Sequence, residues 1–177
     1  MTAMSEAPVA AGAAAHTTVQ SSLGDLTVVT RDGAVTGLYF PHHWHRPDRG
    51  GFGPYREVGF DEIRKQLGEY LAGQRRDFDV PVEVVGSPRQ RRIWSLITRI
   101  PYGETVSYGE LAKEFGGGIT PQEVGAAVGL NPVSIVIPCH RVVGASGSLT
   151  GYAGGLRRKR VLLDLELDVV GRSARLF

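Results

Sequence analysis

Residues 17–20, 26–30 and 35–40 are three short runs of β-branched and aromatic residues, separated by the turn-forming pairs Gly24-Asp25 and Asp32-Gly33. Short runs joined by tight turns pair with their sequence neighbours, so this stretch is predicted to form an antiparallel meander. Residues 41–54 carry three glycines and three prolines spread among and after His42, His43 and His45, a loop composition. Residues 61–72 then place Ile63, Leu67, Tyr70 and Leu71 at helical spacing, with Gly73 as the stop. The outcome is an N-terminal α+β unit over residues 16–80. Residues 1–15 are small and weakly patterned and read as a disordered tail.

From residue 81 the punctuation changes to helix starts. Residues 78–85 read as a strand or a linker, and Gly86-Ser87-Pro88 opens a helix whose apolar face is Ile93, Trp94, Ile97 and Ile100. Ser107 with Glu110 three residues on is a capping-box pattern. Thr120, followed by Pro121 and Glu123, caps a third helix reaching about Leu130. Gly125, Ala126, Ala127 and Gly129 keep one face of that helix flat enough to approach another surface closely. Two short helices joined by Gly116-Gly117-Gly118 suit a helix-turn-helix, in which the second helix enters a groove. Such glycines also suggest a phosphate loop, but the Lys-Ser/Thr that a nucleotide site needs does not follow them, so a flexible turn is expected.

With 177 residues, 42% hydrophobic and 21% charged, the chain can bury a real core, and collagen-like, mucin-like and wholly disordered states are excluded. One cysteine cannot close an intrachain disulfide, so a cytoplasmic compartment is expected. Residues 7–15 make a poor signal peptide, and no run approaches the ~20 apolar residues of a membrane span. Residues 1–80 carry 8 Lys/Arg against 10 Asp/Glu, and residues 81–177 carry 12 against 8. An anionic partner is therefore expected to meet the C-terminal half. Arg157, Arg158, Lys159 and Arg160 form a run of cations that reads as a solvated helix face, one or two of them meeting phosphate.

Chemistry concentrates at residues 131–144. An apolar run, residues 135–137, is predicted as a strand leading into Pro138, Cys139, His140 and Arg141. A lone cysteine is ordinarily inert core, but neighbouring cations lower a thiol pKa, and His140 can accept its proton directly or through water. Beside chemistry at an activated Cys139, two other readings stand, a DNA binder without chemistry and a thiol hydrolase using Cys139 and His140. In the last class, Cys and His normally come from distant segments.

Pro138-Cys139-His140-Arg141 resembles the active-site motif of the 6-O-alkylguanine-DNA alkyltransferases, also called methylated-DNA-protein-cysteine methyltransferases. Residues 100–108, Asn131-Pro132, residues 151–156 and a final helix with Leu162, Leu163 and Glu166 match other motifs of that family in order. The likeness is dense over residues 80–168 and looser over 17–79. It implies a ribonuclease-H-like N-terminal unit and a winged-helix-like domain, residues 81–177, that carries the cysteine. It further implies direct, stoichiometric repair of 6-O-alkylguanine, with 4-O-alkylthymine as an alternative substrate, by a monomer acting on double-stranded DNA without cofactor, metal or membrane. By matched position, Cys139 accepts the alkyl group, His140 removes its proton through a water, Glu166 holds His140, and Asn131 braces the cysteine segment. Tyr108 sits at the flipped base and the adjoining phosphate; main-chain carbonyls of Cys139 and Val142 accept from the guanine amine; the Ala153 amide donates to the alkylated oxygen. Val128 and Tyr152 complete the substrate pocket. Gln122, Glu123, Gly125, Ala126 and Ala127 face DNA, and an ungapped count back from Asn131 puts Gln122 where many relatives carry an arginine that fills the gap left by the flipped base. His42, His43 and His45 could hold a metal, but a solvated loop is the expectation.

Overall fold

The computed structural model describes residues 12–175. Strands β1 (Ala14–Val19), β2 (Leu26–Arg31) and β3 (Ala34–Tyr39) form the antiparallel meander in chain order. The β2–β3 hairpin closes through Asp32 and Gly33, both with positive φ (51° and 81°). That backbone is the two-residue turn whose twist matches the flanking strands, and Asp-Gly tolerates it. β1 starts at Ala14, so the expected tail of residues 1–15 is overrun by two strand residues; residues 1–11 lie outside the described residues.

Helix α1 (Asp61–Leu71) opens with Asp61 and Glu62 at its positive dipole end and buries Ile63, Gln66, Leu67 and Tyr70. The segment after it is not a strand. Residues 78–85 cross β3 at a single bridge, Val35 opposite Val82, because Pro81 contributes only a carbonyl there. Helix α2 (Pro88–Thr98) begins at a reciprocal cap between Ser87 and Gln90. Helices α3 (Tyr108–Phe115) and α4 (Pro121–Gly129) carry the predicted capping boxes, Ser107 with Glu110 and Thr120 with Glu123. The two-residue strands β4 (Val106–Ser107) and β5 (Val142–Val143) pair in parallel, and α5 (Leu156–Ala174) closes the molecule.

Residues 135–137 are not a strand either. Ile135 has φ of 72°, and the segment winds back on itself through Ile137 N–H to the Val133 carbonyl (2.9 Å) and Cys139 N–H to the Ile137 carbonyl (2.8 Å). Pro132 and Pro138 bracket it without donors, so a ladder could not be filled on either side. What holds it is the edge of β3: Leu38 donates to the Pro132 carbonyl (2.8 Å) and accepts from Ser134 (3.3 Å). A single hydrophobic cluster, including Leu38, Leu67, Ile97, Val133 and Leu162, runs from sheet to α5. The N-terminal strands and the cysteine segment are thereby fixed to each other.

Leu67, fully buried in α1, sits in that shared cluster. Leu67→Ala should cost about 2–5 kcal/mol, read as a lower denaturant midpoint at unchanged slope. Val85→Ala, at an 87% exposed position, should stay within about 0.5 kcal/mol of the parent.

Candidate active site

Asn131 follows the C-terminus of α4 and staples the loop that carries the thiol. Its Oδ1 accepts from Val133 N–H (3.0 Å), while its Nδ2 donates to the Ile137 carbonyl (2.8 Å) and to Cys139 Sγ (3.0 Å). Cys139 opens a 3-10 turn, Cys139–Arg141, and is 3% exposed. Burial pushes its thiol pKa up; the Asn131 hydrogen bond and the charge of Lys159 pull the other way.

His140 and Glu166 are fully buried, with His140 Nε2 2.8 Å from Glu166 Oε1. Glu166 lies nearly three turns into α5 and collects donors from four residues. Oε1 also accepts from Tyr70 Oη (2.5 Å) and Arg141 Nη2 (2.8 Å); Oε2 accepts from Arg141 Nε (3.0 Å) and the Gly103 amide (3.0 Å). Gly103 can come this close because its φ is 80° and an added Cβ would stand 2.6 Å from Val170. Burial alone would raise the Glu166 pKa, but hydrogen bonds from His140 and Arg141 outweigh it and hold the carboxyl at about 2. A carboxylate so saturated does not take a proton at neutral pH. It orients His140 with Nε2–H toward Oε1 and leaves Nδ1, a buried atom without a hydrogen-bond partner, as the free basic position. Burial lowers the His140 pKa while Glu166 raises it, and burial prevails.

Two sequence expectations are corrected here. Arg141, predicted as a cation beside the thiol, turns away to Glu166 and to the Ile100 carbonyl (2.7 Å). The cation toward the thiol is Lys159, predicted on a solvated face but fully buried; its Nζ donates to the Thr150 and Gly151 carbonyls (3.2 Å each) and lies 5.9 Å from the centre of the Tyr108 ring. With no carboxylate partner among the described residues, burial lowers its pKa to about 8, against the opposing pull of Cys139. Arg158 likewise is pinned inward, to the Leu23 (2.7 Å) and Gly154 (2.9 Å) carbonyls. Arg157 and Arg160 remain exposed. The helical period, 3.6 residues, sends consecutive residues to different faces.

Cys139 forms part of the wall of a cavity of about 440 Å³ with Tyr108, Gly125, Val128, Tyr152 and Ala153. Tyr108 is the first residue of α3, its hydroxyl donating to the Thr150 carbonyl (3.2 Å). Tyr152 buries a hydroxyl without a partner among the described residues, and burial pushes its pKa well up. Val142 is buried in β5, and its N–H donates to the Cys139 carbonyl. Trp44 and His45 form the outer rim; Trp44 N–H donates to the Ala153 carbonyl (2.9 Å) while its side chain is 74% exposed. His43, expected in a solvated loop, is buried against Phe40, and burial with nearby Arg46 lowers its pKa to about 4. His42 is exposed.

The residues expected to face DNA divide. Gln122, Glu123 and Ala126 are exposed on α4, and Gly125 lines the cavity. Gln122 lies in the first turn and is not part of the cavity wall. Glu123 is engaged in the Thr120 cap and in an ion pair with Arg89 (3.0 Å). Ala127 faces inward instead, and its carbonyl accepts from Trp94 Nε1 (2.9 Å). Sequence reasoning missed Tyr70, read as one more residue on an apolar helix face, and the inward roles of Arg141 and Lys159. Nothing in their local pattern marks them, because the partners of Tyr70 and Arg141 on Glu166 lie 96 and 25 residues away, and those of Lys159 lie in the loop before α5.

Residues 88–167 match the family model described as 6-O-methylguanine DNA methyltransferase, DNA binding domain. A methylated-DNA–protein-cysteine methyltransferase of Mycolicibacterium paratuberculosis is 47% identical over 151 residues, 85% of this chain and 91% of that protein. The inducible enzyme of that name from Bacillus subtilis is 48% identical over 101 residues, 57% of this chain and 56% of that one. The crystal structure of Mycobacterium tuberculosis OGT in complex with DNA superposes with a TM-score of 0.82 at 40% identity, covering 88% of this chain and 94% of that one. With α+β architecture, a buried thiol and a relative matched over nine-tenths of its length, the chain belongs to the methylated-DNA–protein-cysteine methyltransferases.

Proposed function

We propose that the protein repairs duplex DNA by moving the alkyl group of 6-O-alkylguanine onto Cys139, each molecule acting once. The observation that carries this reading is Nδ1 of His140, without a hydrogen-bond partner among the described residues, on a ring held by Glu166 and next in sequence to a thiol that Asn131 positions at an apolar cavity. A base inside a duplex cannot reach a thiol 3% exposed, so the nucleotide is flipped into that cavity. The thiol proton passes to His140 Nδ1 through a water, and the thiolate attacks the alkyl carbon. The S–C bond forms as the C–O bond breaks, the electron pair stays on the guanine oxygen, and the released guanine takes up one proton. The thioether is not hydrolysed, so no second turnover follows.

Within this reading Cys139 is the acceptor, His140 the base and Glu166 its orienter. Asn131 aims Sγ; Lys159 favours the thiolate by charge. Tyr108, Val128, Tyr152 and Ala153 hold the flipped base, together with the main-chain carbonyls of Cys139 and Val142. Exposed Gln122 and Ala126 meet the groove, while Gly125 lets the base pass close to α4. No cofactor or metal takes part. We further assign residues 16–80 as a ribonuclease-H-like unit and residues 81–177 as a winged-helix-like DNA-binding unit, the β4–β5 pair being its small sheet. A cytoplasmic monomer suits this chemistry.

Intact mass after incubation with an oligonucleotide bearing one 6-O-methylguanine should rise by one methylene, localised to Cys139; catalytic turnover with no added mass would contradict the assignment. Cys139→Ser should remove the transfer and leave duplex affinity intact, since a hydroxyl is nearly isosteric but a far poorer nucleophile at neutral pH.

Glu166→Gln should slow single-turnover transfer by about a hundredfold, because an amide does not stabilise the charge His140 acquires. Lys159→Met should raise the pH at which Cys139 is alkylated by a small electrophile, because the positive charge that opposes the burial penalty is gone. A rate profile unchanged from the parent would show that Lys159 serves packing alone.

A further inference from the structure

Tyr70 belongs to α1, outside residues 88–167 that carry the family match, yet its side chain ends inside the thiol's proton-handling network. It is fully buried, with its ring 5.3 Å from Phe78 and 5.9 Å from Tyr102, and its hydroxyl lies 2.5 Å from Glu166 Oε1 and 3.3 Å from His140 Nε2. A phenol carries a single proton. Burial first, and then the Glu166 charge, keep that proton on the oxygen far beyond the ordinary tyrosine range. The shorter contact takes it, so toward His140 Nε2 the phenol presents only lone pairs. An unprotonated Nε2 would then face lone pairs of two oxygens, Tyr70 Oη and Glu166 Oε1, with no proton directed at it.

Resting on the reading of His140 as base, we propose that Tyr70 is a positioning residue that locks His140 in its Nε2–H tautomer and thereby keeps Nδ1 free to take the thiol proton. Glu166 alone does not achieve this. Without the phenol oxygen, a water can occupy its place beside Oε1 and donate to Nε2, and the other tautomer is then populated. Tyr70 supplies a donor of fixed direction and fills the space such a water would need. The charged side chains around the ring, Arg141, Lys159 and Glu166, all come from the C-terminal half. The tautomer lock comes from the N-terminal one. Hence the helix-turn-helix half carries the thiol and the base but not the whole relay.

The test is Tyr70→Phe in the full-length chain, which removes one oxygen and keeps the ring. Nitrogen-15 shifts of histidine-labelled, unreacted protein report the His140 tautomer without any alkyl transfer. The parent should show a protonated Nε2 and a bare Nδ1; the variant should show averaging between tautomers. Single-turnover transfer should fall about tenfold, to duplex 6-O-methylguanine and to free 6-O-benzylguanine alike. Duplex affinity should not move. A pure Nε2–H signature in the variant, or a bare Nε2 in the parent, overturns the proposal, and the parent measurement stands even if the variant does not fold. Failure of the functional reading looks different, since it appears as absent transfer in the parent whatever the His140 shifts are.

Discussion

The buried carboxylate of Glu166 is the constraint on which the rest of the site depends. An ionised carboxylate taken from water costs several kcal/mol unless its lone pairs are met. Here they are met by a guanidinium, an imidazole, a phenol and a backbone amide, which bring α1, the loop after α2 and the cysteine turn onto α5. Each donor is useful only where it stands. The carboxylate therefore ties together four segments that no local preference would bring into register, and removing one donor leaves a partly unmet charge in the interior.

The thiol presents a tension that the same arrangement resolves. Burial limits the access of small electrophiles to Cys139 and, by raising its pKa, disfavours the thiolate. On the proposed reading, activation is supplied by groups that share its burial: the Asn131 amide, the charge of Lys159 and Nδ1 of His140. All three act only on something already inside the cavity. On the proposed reading, selectivity for a flipped nucleotide and restraint toward other electrophiles are consequences of one geometry.

The surface around the cavity follows from small residues and caps. Gly125 and Ala126 keep α4 thin where a duplex would approach, and the Thr120–Glu123 cap meets the first-turn amides of that helix without a bulky side chain. Glu123 would repel phosphate, but its charge is shared with the cap and with Arg89. The C-terminal half carries the surplus of cations, though Arg141, Arg158 and Lys159 turn inward, so the outward field is smaller than the count suggests.

The meander, its Asp32-Gly33 turn, three helix caps and the cysteine motif were legible because each is written in neighbouring residues: β-branched runs, turn pairs and side chains three positions apart. Cys139, His140, Asn131 and Glu166 were placed by motif resemblance, and the folded chain brings them into contact. Other features could not be read. The run at 135–137 looked like a strand because its apolarity reports burial, and burial does not distinguish a strand from a coiled loop bracketed by prolines. Lys159 and Tyr70 looked like a solvated cation and a core aromatic, since a side chain's environment is set by what packs on it from far along the chain. Sequence alone determined the meander, the starts of three helices and the position of the single thiol. Only the tertiary structure decided which charges are buried and which nitrogen of His140 is free, because both depend on the distances between groups that the chain brings together last.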